Sequence, residues 1–187
     1  MRWNRLFDDL EAQLVRMEQT ELAADVSERT RAERGQIALI QRLAADAGRE
    51  LVVDVQGVGR VGGTLSEVGL DWFIVDSTTH GPHRSRAVLV SLAAVQSVTG
   101  LTGFADQRDG ALQRRFGLRS ALRALGRDRA RVRIHLSGGG TVQGTIDRVG
   151  LDHCDVADHA DDAPRRSSEV RHVHALPLWA VSAVRQV

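Results

Sequence analysis

A 23-residue stretch of this chain occurs twice. Val53–Val75, VDVQGVGRVGGTLSEVGLDWFIV, lies over Ile134–Val156, IHLSGGGTVQGTIDRVGLDHCDV, at a constant offset of 81 and without a gap. Ten of the 23 positions are identical. The glycines recur in place: Gly57, Gly63 and Gly69 in the first copy, Gly138, Gly144 and Gly150 in the second. A fixed offset with matching glycines is the signature of one structural unit used twice. In a chain of 187 residues, two copies imply two small domains of about 60 to 70 residues, a size at which a lone core is marginal. The copies are therefore expected to pack on each other, on the preceding helical region, or on another chain.

Within each copy the apolar residues alternate. Val53, Val55, Val61, Leu65, Phe73 and Val75 carry a period of two, which marks strands. Gly57-Val58-Gly59 and Gly138-Gly139-Gly140 read as hairpin turns, where glycine permits positive φ. Gly69-Leu70-Asp71 and Gly150-Leu151-Asp152 supply the next turn. Gly63 and Gly144 fall inside strand patterns, where a glycine marks a bulge or a sharp bend. Polar loops follow, Ser77–Arg86 and Ala157–Glu169. Then VLVSLAAVQSV (Val88–Val98) matches HALPLWAVSAV (His174–Val184), now at an offset of 86. Each of these reads as strand, one short helical turn, strand. A helical segment precedes each copy: GQIALIQRLAADAGRE before the first, FGLRSALRALGRDRAR before the second.

Ahead of the repeats, residues 2–48 read as helix. Trp3, Leu6, Phe7, Leu10, Leu14 and Met17 recur at spacings of three and four, and no proline interrupts them. Thr20 and Gly35 are candidate breaks. This arm either packs on the repeats or dimerises.

The order helix, then five short strands, resembles the Sm-like fold, a small, strongly bent SH3-like barrel. The residues that carry the resemblance are V-x-L-x-G-G-x-x-x-x-G-x-I-x-x-V, present as VRIHLSGGGTVQGTIDRV in the second copy, and its counterpart in the first. The tandem form is similar to a group of actinobacterial proteins. The resemblance implies an α+β chain: a helical arm (1–34), a helix plus a first five-stranded β-barrel (35–99), a basic linker and helix (100–130), and a second five-stranded barrel (131–187). It does not carry over the family's RNA-reading residues. Where Sm-like RNA binders have an Asn, this chain has Asp71-Trp72-Phe73 and Asp152-His153-Cys154. Where they have an Arg-Gly pair, it has Leu89-Val90-Ser91 and Ala175-Leu176-Pro177.

The formal charge is only +1, so no global polyanion signature exists. Locally the picture differs. Between Arg108 and Arg133 nine arginines stand against two aspartates. Arg119, Arg123 and Arg127, at i, i+4 and i+8, line one face of a helix, with Leu118, Leu122 and Leu125 opposite. With Arg114 and Arg115 they are the candidate nucleic-acid contacts, because guanidinium rows suit phosphates. The bland reading is a solvated face, or one paired with acids of the arm.

The other constellations point away from catalysis. The only cysteine, Cys154, reads as a small core or edge residue, and it rules out an intrachain disulfide. Asp71 and Asp152 read as turn residues bonding their own backbone. The histidines, His80 and His83, His172 and His174, and His153 and His159 with nearby acids, fit no standard zinc spacing. Trp72 and Trp179 read as core or inter-barrel packing, with Trp72 a candidate for stacking on a base if exposed. No cofactor, metal site or enzyme activity is expected. The N-terminal residues lack the apolar stretch of a signal peptide or membrane span, so a cytoplasmic location without membrane contact is expected. The leading function is a non-catalytic regulatory module that engages RNA or DNA through the arginine-lined helix and adjacent loops. The alternative is a protein-interaction scaffold, a homodimer through its N-terminal helices.

Overall fold

Ten short strands, all antiparallel to their neighbours, form one sheet in a computed structural model that describes residues 35–77, 87–106, 116–158 and 172–187. The chain divides into two units, Met1–Ala38 and Leu39–Val187, and the sheet lies wholly within the second. The arm 1–34, Arg114 and Arg115, the loop with His80 and His83, and the loop with His159 lie outside the described residues.

The first repeat comprises helix α1 (Leu39–Ala45) and strands β1 (Glu50–Val55), β2 (Gly59–Val68), β3 (Trp72–Ser77), β4 (Ala87–Ser91) and β5 (Val95–Thr99). The second comprises α2 (Leu118–Arg127), β6 (Arg131–Leu136), β7 (Thr141–Val149), β8 (His153–Asp158), β9 (His172–Pro177) and β10 (Val181–Gln186). A single 3₁₀ turn, Leu92–Ala94 or Leu178–Ala180, links the last two strands of each repeat. The α+β class and the helix-then-five-strands order thus match the sequence reading. No helix among the described residues is long and apolar enough to cross a membrane.

The strand order is β5-β1-β2-β3-β4-β10-β6-β7-β8-β9. Each repeat keeps its own five strands together, and β4 of the first pairs with β10 of the second through Val90↔Ala183, Leu89↔Val184 and Val88↔Arg185. The equivalence extends to the irregularities. Register slips between Leu65 and Glu67 in β2 and between Ile146 and Arg148 in β7, 81 residues apart. It slips again at Gln96 in β5 and Ser182 in β10. The amide of Leu92 donates to the Asp71 carbonyl at 2.9 Å, as Leu178 does to Asp152 at 2.8 Å. Such paired bulges twist and bend a strand at the same place in both copies.

The strand glycines themselves are not the bulges. A Cβ on Gly63 would overlap the Asp76 carbonyl of the neighbouring strand, and one on Gly144 the Ala157 carbonyl. They mark places where two backbones approach too closely for any side chain. The first turn does use left-handed backbone, at Gly57 (φ 73°) and Gly59 (φ 86°); its counterpart uses Gly139 rather than Gly138. Gly69 and Gly150 leave room for the rings of Trp72 and His153.

Two cores result. Leu51, Val53 and Val55, alternate residues of β1, face Val61, Leu65, Phe73, Val75, Val88 and Val90, with Leu43 of α1 sealing the end. The second core gathers Leu118 and Leu122 of α2 with Val132, Ile134, Ile146, Cys154, Val156 and Leu176. The cores interpenetrate at the seam. Trp72 and Leu89 of the first repeat belong to the second core, and Ala183 of β10 belongs to the first. Strand β4 is therefore buried on both faces over Val88–Ser91, and its sequence loses alternation for that reason. After β5 the chain runs back over α1. The buried carboxylate of Asp46 accepts from the Thr102 amide at 2.8 Å and its hydroxyl at 2.7 Å, and the Asp106 amide donates to the Gln41 carbonyl.

Candidate functional site

Helix α2 is amphipathic as its spacing requires: Leu118 and Leu122 are buried, Leu125 is partly buried, and Arg123 and Arg127 are exposed. Its N-terminus is capped from a distance. The N-cap residue, Gly117, has no side chain to offer, and the amide of Leu118 donates to the Asp71 carboxylate of the first repeat. The Phe116 carbonyl accepts from the Leu70 amide at 3.1 Å and from Nε1 of Trp72 at 2.8 Å. Asp71 thus serves another element, in place of the self-bonded turn that its sequence position suggested. Asp152 meets its own neighbour, with its Oδ1 2.8 Å from Nδ1 of His153, and that hydrogen bond holds its carboxyl below the usual range.

At the other end, Gly126 lets the helix come close to β7: a Cβ there would stand 3.2 Å from the Ile146 carbonyl. Beside this contact opens a groove of about 970 Å³ between α2, the β7 bulge and the edge of the first repeat. Its floor is apolar, with Trp72, Ala121 and Ile146. Its rim carries Arg123, Arg127, Arg129 and Arg148, against Glu67 and Asp147. Nη2 of Arg123 donates to the Val149 carbonyl at 3.3 Å, and Arg129 pairs with Asp147 at 3.7 Å. Arg129 is the only non-glycine residue with positive φ (52°) among the described ones. It occupies the position after a helix where glycine is usual, at a backbone cost of about 1 kcal/mol.

The three arginines of the helix row do not line one hollow. Arg119 lines a separate hollow of about 480 Å³, among Leu70, Leu151, Leu178 and Trp179. Arg148, at the β7 bulge, joins the groove although nothing in the helical spacing pointed to it. The signal was its place in the repeat, where the first copy carries Glu67. Arg131 and Arg133 leave the helix for β6, where Arg133 faces Arg185 across the ladder and bonds the Gln143 side chain at 2.8 Å. Burial lowers the pKa of His135 beside them, and Arg185 and Arg133 lower it further.

Trp72 is only 6 % exposed and its N–H is engaged, so it packs between the repeats and does not offer a stacking face. Phe116, 48 % exposed, is the accessible aromatic of the groove. Trp179 is 77 % exposed, which corrects the expectation that it packs in a core. Cys154 is fully buried in an apolar core, and burial pushes its thiol up to about 11, so it is no nucleophile. His172 and His174 share one side of β9 with ring centroids 6.4 Å apart, but no group of three metal-ligating side chains occurs among the described residues. No protein-family model matches the chain, and no curated protein matches it.

Proposed function

We propose that this protein is a non-catalytic, cytoplasmic binding module that engages the phosphate backbone of RNA or DNA in the groove between α2 and β7. The observation that carries this reading is the convergence of Arg123, Arg127, Arg129 and Arg148 on one open groove with an apolar floor. Guanidinium forks match phosphate oxygens, and they neither give nor take protons at neutral pH, so the site suits binding and not acid–base chemistry. Phosphate contacts carry little sequence information, so preference among sequences is weak and salt dependence steep. In this proposal each half of the sheet curls into an Sm-like barrel. The equivalent bulges in β2 and β7 and the close backbone approaches at Gly63 and Gly144 support that curvature.

The test is fluorescence anisotropy with random single-stranded RNA and with duplex DNA, at low and moderate salt. Wild type is expected to bind with a salt-sensitive affinity. Arg123→Ala/Arg127→Ala/Arg148→Ala is expected to lose at least tenfold and to show a shallower salt slope, whereas Arg119→Ala changes little. No binding at micromolar protein in low salt, or an equal loss in Arg119→Ala, refutes the groove as the site.

A second reading, a protein-interaction scaffold, has its own observation. Leu70, Leu151 and Trp179 are 57 %, 80 % and 77 % exposed and border the hollow that holds Arg119. A contiguous exposed apolar surface of this kind suits a protein partner. The arm's part in dimerisation belongs to this reading.

A further inference from the structure

The groove between α2 and β7 carries one side chain that phosphate binding does not use. Its walls come from both repeats, and each repeat contributes the residue at its bulge. These are Arg148 from β7 and, 81 positions earlier, Glu67 from β2. The same place in the repeat thus presents a cation from one copy and an anion from the other. The second carboxylate of the rim, Asp147, is taken up by Arg129 at 3.7 Å. Glu67 is exposed and makes no hydrogen bond or ion pair among the described residues. A carboxylate in this position repels phosphate and weakens its binding, unless the ligand brings hydrogen-bond donors to it. The groove therefore offers three chemistries: guanidiniums from the second repeat, a carboxylate from the first, and an apolar floor.

We infer that the groove holds a single-stranded segment with a guanine base at Glu67, and that Glu67 is its specificity-determining residue. The inference rests on the phosphate-binding reading of the same groove. A nucleotide has the matching chemistry: a phosphate at one end, the hydrogen-bonding edge of its base at the other, and flat apolar faces. Arg123, Arg127, Arg129 and Arg148 are more than one phosphate needs, so a strand fits the rim better than a free mononucleotide. The exposed ring of Phe116 gives a base a surface to stack on. Among the bases, guanine alone presents two donors side by side on its Watson–Crick edge, N1–H and the N2 amino group. They match the two acceptor oxygens of a carboxylate. Adenine and cytosine set one amino group beside a ring nitrogen, whose lone pair repels the second oxygen. Uracil and thymine set one N–H between two carbonyls. In a duplex this edge is consumed by pairing, so it can be read only in a single strand. The phosphate contacts leave the rest of the sequence unread, and Glu67 adds one read position.

Fluorescence anisotropy with short uridine RNAs tests this. One strand is all uridine, one has a central guanosine, and one has a central inosine, which lacks the N2 amino group. Wild type is expected to bind the guanosine strand about tenfold more tightly than the all-uridine strand, the scale of one bidentate contact, with the same salt slope for both. The inosine strand is expected to lose most of that preference. Glu67→Ala, at an exposed position, is expected to bind all the strands alike, and the all-uridine strand no more weakly than wild type does. Salt-sensitive binding by wild type without a guanosine preference overturns this inference and leaves the phosphate reading standing. A guanosine preference that survives in Glu67→Ala also overturns it, because the base is then read elsewhere. No binding of any strand at low salt overturns both.

Discussion

His135 shows how one residue carries a pH dependence. It lies on β6 between Arg133 on its own strand and Arg185 on β10, half-buried, and burial first and these two charges second lower its pKa. The unfolded chain has no such environment and protonates near pH 6.5. Above that pH both states are neutral at this position and stability is unaffected. As pH falls from about 6.5 towards the folded value, the unfolded state binds the proton first and stability declines, by no more than about 1.4 kcal/mol per pH unit. Urea unfolding at pH 7.5 and pH 5.5 measures this. Wild type is expected to lose more stability on acidification than His135→Gln, and equal losses would mean the site is not desolvated in solution. Cys154 is the contrasting case, a titratable group that burial silences.

At the scale of elements, a repeat makes its own controls. Asp71 and Asp152 are the same residue in the same turn, yet only Asp71 caps a helix. Asp71→Ala is expected to cost about 1 kcal/mol, as loss of a helix cap does, with a lowered thermal midpoint. Asp152→Ala, whose carboxylate is solvent-exposed, is expected to stay within about 0.5 kcal/mol of wild type. Equal effects in a thermal scan would place the Asp71 contribution in its turn and not in α2. The alternation of β1, the 3₁₀ turns and the amphipathic face of α2 were all legible in the sequence, because each is set by residues a few positions apart. The role of Asp71 was not, since its partner amide lies 47 residues away. Arg148 escaped for a related reason: a β-bulge and a helix brought together in space make the groove, and neither period reports on the other. Trp179 misled because a large aromatic usually signals burial, while here it sits exposed on a 3₁₀ turn beside the hollow that Arg119 lines.

At the scale of the molecule, the repeat pointed to two halves of five strands each but not to how they join. Two small cores of this size are each marginal, and the chain merges them. One ladder runs through β4 and β10, and side chains cross into the neighbouring core in both directions. The arginine groove spans that merger, since Glu67 and Trp72 come from one repeat and α2 and β7 from the other. The groove therefore straddles the seam, and amide hydrogen exchange followed by mass spectrometry reads that seam directly. Peptides covering β4 and β10 are expected to exchange as slowly as those of β2 and β7, and more slowly than those of the edge strands β5 and β9. Seam peptides that exchange as fast as the edges would show two separate sheets, and would contradict a continuous ladder through β4 and β10.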